Sequence, residues 1–300
     1  KNLNKTYQKK GSNPVTAIEN LNLSVQQGEI FGLLGPNGAG KTTFINILSG
    51  SVVKTSGFVE VWGFNLDKNP RQVRASIGIV AQDVNLDPFF TPESLLDLQA
   101  GLYGIKKKDR ITSKILNLVS LEKQAKSYAR SLSGGMKRRL MVAKSLVHQP
   151  PIIILDEPTA GVDVELRQNL WKNVKTLNQE GVTIILTTHY LEEAEKMCDR
   201  IGILNKGNLV ALDTTQKLLE KIQIKKISIK VNNRVNINEN KFKTLKIVSS
   251  TNDEINLSYD KNELKIDQII KLIEENGARI LDLSTDDGDL EDVFLSLTKS

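Results

Sequence analysis

The stretch GPNGAGKTT, residues 35 to 43, places a glycine, four residues, then glycine, lysine and a hydroxyl residue directly after the apolar run IFGLL. Glycines let a backbone turn until several N–H groups face one anion, and the positive end of a following helix adds to that field. Lys41 supplies a point charge for outer phosphates, and the Thr42 hydroxyl suits a Mg²⁺ ligand. With Gly35, Pro36, Asn37, Gly38, Ala39, Gly40 and Thr43, the segment reads as a cradle for a nucleoside triphosphate. The alternative is a chance glycine-rich turn. The strand pattern before it and the helical TTFINILSG after it argue against that reading.

Two further stretches carry chemistry. IIILDEP ends an apolar strand with Asp156 and Glu157, carboxylates that such a strand would not carry without a role. An aspartate at a strand tip beside the phosphate loop can hold Mg²⁺ through water, and the adjacent glutamate can orient or deprotonate the water that attacks a γ-phosphate. A pair of solvated turn residues is the bland alternative. LSGGMKRRL then offers Ser133, Gly134 and Gly135 before a basic helix, a second helix start able to bind phosphate. One nucleotide does not need two such cradles from one chain. Two chains packed head to tail, each capping the nucleotide of the other, is the simplest arrangement, with two sites per dimer.

These residues need elements to hold them. Up to about residue 218, short β-branched runs such as GEIFGLLG and GVTIILTTH alternate with helical stretches, which predicts an α/β fold with a mostly parallel sheet covered on both faces. Between about 83 and 148 the chain is rich in Leu, Lys and Ser at helical spacing, with TPES (Thr91 as N-cap, Pro92 in the first turn) as a start signal, so a helical insertion is expected there. From 219 to 300 a small α/β domain is expected: strands IKKISIKV, TLKIVSS and EINLSYD, the amphipathic DQIIKLIEENG with Ile269, Ile270 and Ile273 on one face and Gly277 as a cap, a returning strand ARILDLST, and a last helix LEDVFLSLT. At 300 residues, 39% hydrophobic and 25% charged, the chain can bury a full core and favours about two domains.

Composition also excludes classes. No stretch approaches the roughly 18 apolar residues of a spanning helix. Cys198 is the only cysteine, so no disulfide framework exists and a reducing cytoplasm is the expected compartment. The net charge of +6 comes from scattered lysines with few interleaved aromatics, and no nucleic-acid partner is expected. Of the two histidines, His148 in LVHQPP reads as structural.

The ordered set GPNGAGKTT, GIVAQD, LSGGM, IIILDEP, AGVD and TTHYLEEAE resembles the nucleotide-binding subunit of the ATP-binding-cassette (ABC) transporter family, over residues 1 to about 218. That resemblance implies a phosphate-loop NTPase core that binds ATP and Mg²⁺, and hydrolysis coupled to transport by a separate transmembrane permease at the cytoplasmic face of the membrane. It assigns Tyr7 to adenine stacking, an ordinary strand aromatic being the alternative. Gln82 is assigned to sensing Mg²⁺ and the γ-phosphate, and His189 to fixing the attacking water with Glu157. Asp163 falls in the loop crossing the dimer interface, with a helix N-cap as a compatible second role. The pair is a homodimer or two paired ATPase subunits. Ala81, Met136 and Val162 depart from commoner family residues without removing a charge or a phosphate-facing N–H.

The segment THYLEEAEKMCDRIGILNKGNLVALDT and the terminal LEDVFLSLT are similar to bacterial ABC-2-type exporter ATPases of the drug, antibiotic and nodulation-factor group. In that group the tail is an accessory domain, here either regulatory or a plain packing module. A non-transport ABC ATPase acting on nucleic acid or ribosomes is the alternative from another class, but this chain has one cassette and no heptad run. An importer ATPase is the nearest rival within transport.

Overall fold

In the computed structural model, residues 9, 10, 12, 84, 160–163, 236–243, 287, 299 and 300 lie outside the described residues, and of 164–166 only the backbone is described. The chain forms two units, residues 1–213 and 214–300.

The first unit contains, in chain order, β1 (Leu3–Tyr7), β2 (Val15–Leu21), β3 (Ile30–Leu34), α1 (Lys41–Leu48), β4 (Glu60–Val61), β5 (Phe64–Asn65), α2 (Pro70–Ala75) and β6 (Ile77–Val80). There follow α3 (Pro92–Leu102), α4 (Thr112–Leu118), α5 (Gly134–Leu146), β7 (Ile152–Asp156), α6 (Val164–Gln179), β8 (Thr183–Thr187), α7 (Leu191–Met197), β9 (Arg200–Asn205) and β10 (Asn208–Thr214). Its main sheet has the order β10-β9-β3-β8-β7-β6. β3 and β8 are buried at every position, as a parallel strand covered on both faces must be.

Register determines where the strands end. Leu33 pairs with Thr187, Thr187 with Asp156, and Leu155 with Val80, all in parallel ladders. The carboxyl ends of β3, β8, β7 and β6 therefore fall at one level, the edge where open α/β sheets bind ligands. Phe31, Leu33, Ile154 and Ile185 pack with Phe44, Ile45, Ile47 and Leu48 of α1 and with Ile18 and Leu21 of β2. Burying each such side chain is worth about 1.5–3 kcal/mol, so the core clamps α1 and the loop before it against the sheet. β1 and β2 form a separate antiparallel pair, and β4 and β5 another, neither of which the sequence reading anticipated.

Between β6 and β7 the described regular elements are all helical. α3 begins where TPES predicts: the Thr91 side chain accepts from the Ser94 N–H, and the Ser94 hydroxyl accepts from the Thr91 N–H. That reciprocal box satisfies two of the otherwise orphaned donors of the first turn.

The second unit contains α8 (Thr215–Glu220), β11 (Ile224–Val231), β12 (Lys246–Ser250), β13 (Glu254–Asp260), α9 (Ile266–Glu275), β14 (Ile280–Asp286) and α10 (Leu290–Thr298). Its antiparallel sheet has the order β12-β13-β11-β14. Alternate residues Ile227, Ile229 and Val231 of β11 and Ile255, Leu257 and Tyr259 of β13 share a core with Ile269, Leu272 and Ile273 of α9. Period two on the strands thus meets period 3.6 on the helix. Gly277, at φ +79°, follows α9 in the left-handed conformation expected of a helix-terminating glycine.

Candidate active site

The loop between β3 and α1 is shaped by glycines that nothing else could replace. Gly40 caps α1 at φ +111°, and a Cβ there would lie 2.5 Å from the Ala17 carbonyl oxygen. A Cβ on Gly35 would meet the Leu204 carbonyl oxygen at 2.5 Å. Main-chain bonds tie the turn down, from Ala39 N–H to Pro36 O (3.1 Å) and from Gly207 N–H to Ala39 O (3.0 Å). Lys41 is buried, and its ammonium donates to the carbonyls of Gly35 (2.6 Å) and Pro36 (3.3 Å). Burial pushes the Lys41 pKa down, against the opposing pull of Glu157 and Asp156. Thr42 is exposed beside it and Thr43 half-buried.

At the tip of β7 the two carboxylates lie in different environments. Asp156 is buried and accepts a short hydrogen bond from the Thr187 hydroxyl. Burial raises its pKa, while Thr187, Lys41 and Arg138 work the other way and Glu157 adds to the rise. Glu157 adopts φ +45°, unusual for a residue with a side chain, and its N–H is held by the Thr187 carbonyl at 3.0 Å. Glu157 Oε2 accepts from Gln82 Nε2 at 3.1 Å and lies 3.2 Å from His189 Nδ1. The ends of β6, β7 and β8 thus bring Gln82, Glu157 and His189 together.

A divalent cation can be tested against these groups. Thr42, Asp156 and the amide oxygen of Gln82 offer hard oxygen donors only, the kind Mg²⁺ takes alongside water and phosphate. The buried Asp156 charge is one that a cation would compensate, and the Gln82 amide leaves its oxygen free once its nitrogen faces Glu157. The donor set fits Mg²⁺.

Ser133 caps α5 by accepting the Met136 N–H at 3.3 Å. Ser133 and Gly134 are exposed, and a Cβ on Gly134 would meet nothing within 4 Å. Gly135 is half-buried. This helix start therefore opens to solvent. Tyr7 ends β1, is 41% exposed, and carries the Lys5 ammonium 4.6 Å from its ring centroid. Its backbone pairs with Val15, two residues along β2 from the Ala17 that abuts Gly40. Asp163 lies outside the described residues.

Two participants escaped the sequence reading. Thr187 follows from the β7–β8 register alone. Arg138 is buried on α5, although its MKRR context resembles a solvated basic face. The available signal was phase: Arg138 precedes the buried Met141 and Val142 by three and four positions. His148 is structural, as expected, stacked on Tyr103 with ring centroids 3.8 Å apart and its Nε2 3.0 Å from the Ile77 carbonyl oxygen.

A phosphate cradle after β3, a carboxylate pair at the tip of β7 two strands along the sheet, and a second glycine-containing helix start define a phosphate-loop ATPase of the cassette type. Comparison with known proteins places it more narrowly. The family profile described as ABC transporter matches residues 18–160. The chain is similar to the linearmycin resistance ATP-binding protein LnrL of Bacillus subtilis, with 34% identity over 99% of this chain and 96% of the relative. It is 39% identical to the Nod factor export ATP-binding protein I of Cupriavidus metallidurans over 68% of each chain. Among solved structures it resembles the ATP-binding cassette MJ0796, described as a dimer in a post-hydrolysis state bound to ADP and Pi. That match has TM-score 0.64 and 29% identity over 72% of this chain and 97% of the other. The chain belongs to the ABC transporter family, as an ATP-binding subunit with ATPase activity.

Proposed function

We propose that the protein powers an ABC-2-type exporter. Two copies, or this chain and a paired ATPase subunit, close around two ATP molecules and drive a separate transmembrane permease from the cytoplasmic face of the membrane. The observation that carries the closure is the exposed second helix start. The phosphate loop and the Gln82–Glu157–His189 trio share one sheet edge, while at the start of α5 Ser133 and Gly134 are exposed and, among the described residues, a Cβ on Gly134 would meet nothing within 4 Å. A partner's triphosphate is the ligand this second turn fits. The export direction is supported by the linearmycin resistance and Nod factor export proteins, the first of which spans the C-terminal unit too. Among the described residues no helix is long and apolar enough to cross a membrane.

In the resulting mechanism, the main-chain N–H groups of residues 35–43 and the Lys41 ammonium bind and orient the β- and γ-phosphates. Tyr7 stacks on adenine, and Asp163 acts at the interface between the two chains. Glu157 accepts a proton from, or orients, the attacking water, and His189 holds Glu157 and the γ-phosphate in line. Gln82 links the phosphate end to the helical region that follows it. Mg²⁺, held by Thr42, Asp156 and Gln82, supplies neutralisation of phosphate charge when bound. The closed state is favoured because Ser133–Gly135 gains a phosphate contact only there, the differential contact a population shift requires. Hydrolysis removes it.

The experiment is Glu157→Gln. This variant is expected to bind ATP, turn over very slowly and accumulate an ATP-bound dimer in size-exclusion chromatography with light scattering. A variant that remains monomeric with ATP and Mg²⁺, or that retains full turnover, overturns the reading.

A further inference from the structure

Arg138 makes an arrangement that the mechanism above does not use. Arg138 is 6% exposed, and its guanidinium donates to five main-chain carbonyl oxygens. Nη1 donates to Ala81 and Gln82, each at 2.7 Å. Nη2 donates to Glu157 at 2.9 Å and reaches Asp156 at 3.3 Å, and Nε donates to Pro158 at 3.0 Å. The carbonyls belong to Asp156, the last residue of β7, and to the segments leaving β6 and β7. One planar fork therefore gathers the backbone of two of the three residues in the catalytic trio.

The geometry suits arginine alone. Five N–H donors in a fixed plane span two chain segments at once, whereas a lysine ammonium offers a single point charge with three donors. Glu157 takes φ +45°, and its carbonyl and those of Asp156 and Pro158 converge on the same group. The next residue, Arg139, reaches instead to the carbonyls of Val119 (2.9 Å) and Ser120 (3.0 Å), after α4. α5 is thus pinned to the catalytic strand ends through one arginine and to the helical region through its neighbour.

The third relationship is distance along α5. Arg138 lies five residues after Ser133, about 7.5 Å along the helix axis at 1.5 Å per residue. A shift of α5 when Ser133–Gly135 receives a phosphate moves the anchor of Gln82 and Glu157 as one rigid piece.

We propose that Arg138 is a positioning residue for hydrolysis. It holds the main chain of Gln82 and Glu157 in register, and through α5 it transmits the seating of the partner's nucleotide to this chain's own glutamate. This rests on the dimer reading above. Its distinguishing mark is a split between binding and turnover, because the phosphate loop, which holds the nucleotide, receives none of the five bonds.

The test uses the full chain as wild type, Arg138→Gln, Arg138→Lys and Arg200→Gln, with kcat per folded molecule, ATP dissociation constant and melting temperature measured for each. Arg200 pairs with Glu29 (3.1 Å) near the opposite end of the sheet and serves as a structural control. The expected result is a kcat lower by on the order of tenfold to a hundredfold in Arg138→Gln, the scale of a small misplacement of catalytic groups, with ATP affinity within about threefold of wild type. Arg138→Lys is expected to fold more stably than Arg138→Gln yet show the same split, because the charge is restored and the fork is not. Arg200→Gln is expected to lose melting temperature and keep kcat. Unchanged kcat in both Arg138 variants, equal losses of affinity and kcat, or an equal kcat loss in Arg200→Gln overturns the proposal. Should Arg138→Gln fail to fold, Arg138→Lys decides by the same split. A wild type without ATPase activity would sink the hydrolysis reading itself, whereas an active wild type indifferent to Arg138 sinks only this proposal.

Discussion

The Lys41 ammonium lies 2.6 Å from the carbonyl oxygen of Gly35, the residue that opens the loop Lys41 closes. Burial disfavours its charge, and two loop carbonyls hold the side chain inside the turn. Lys41→Ala is expected to weaken ATP binding by on the order of tenfold to a hundredfold, the range of one hydrogen bond to a charged group. Titration with a fluorescent ATP analogue checks this, and unchanged affinity would remove Lys41 from the cradle.

The two φ-positive glycines of the loop should differ. Gly40→Ala forces a Cβ against the Ala17 carbonyl at 2.5 Å as well as straining the backbone, whereas a Cβ at Gly38 (φ +80°) meets nothing. Gly38→Ala is expected to cost about 1–3 kcal/mol through the backbone alone, and Gly40→Ala more. Urea unfolding of the two variants compares them, and equal midpoints would contradict the packing of the loop against β2.

His189→Ala deletes the imidazole 3.2 Å from Glu157 while leaving the phosphate loop intact. The expected outcome is a kcat lowered by on the order of a hundredfold, a usual scale for loss of an acid–base partner, with ATP affinity nearly preserved. Steady-state kinetics alongside equilibrium binding separates the two. A loss confined to affinity would take His189 out of the water-positioning group.

His148 makes stability depend on pH. Burial lowers its pKa, only partly offset by the hydrogen bond to Ile77. The folded state therefore binds fewer protons than the unfolded state below the ordinary histidine value of about 6.5. Its contribution is full above that value and is lost as pH falls toward the folded pKa. His148→Gln is expected to flatten the rise in urea midpoint between pH 5 and pH 7.5. An identical pH slope in wild type and variant would count against it.

The legible parts of this protein are those whose residue types have one reading. IFGLL, IIILD and TIILT are too apolar and too short to be anything but covered strands, and they became β3, β7 and β8. The alternation in IKKISIKV and the phase of Ile269 and Ile273 led to β11 and α9 for the same reason. The glycine loop was legible as a tight turn because its spacing asks for positive φ, which Gly38 and Gly40 adopt. Thr187 was not legible, because a buried hydroxyl acquires meaning only from partners set by long-range strand register, and Arg138 left only its helical phase with the buried Met141 and Val142, which marks burial but not its partners. The β1–β2 and β4–β5 pairs were missed because LNKTY and EV mix polar and apolar residues without a firm period.

β8 lies between β3 and β7 in the sheet but follows both in the chain. During synthesis the phosphate cradle and the carboxylate pair therefore emerge before the strand that must be inserted between them, and Thr187 and His189 arrive with that strand. A ribosome-bound fragment ending before β8 lacks the wedge that brings cradle and carboxylates to their working separation. Such a fragment also lacks His189 and the Thr187 hydroxyl whose hydrogen bond Asp156 accepts.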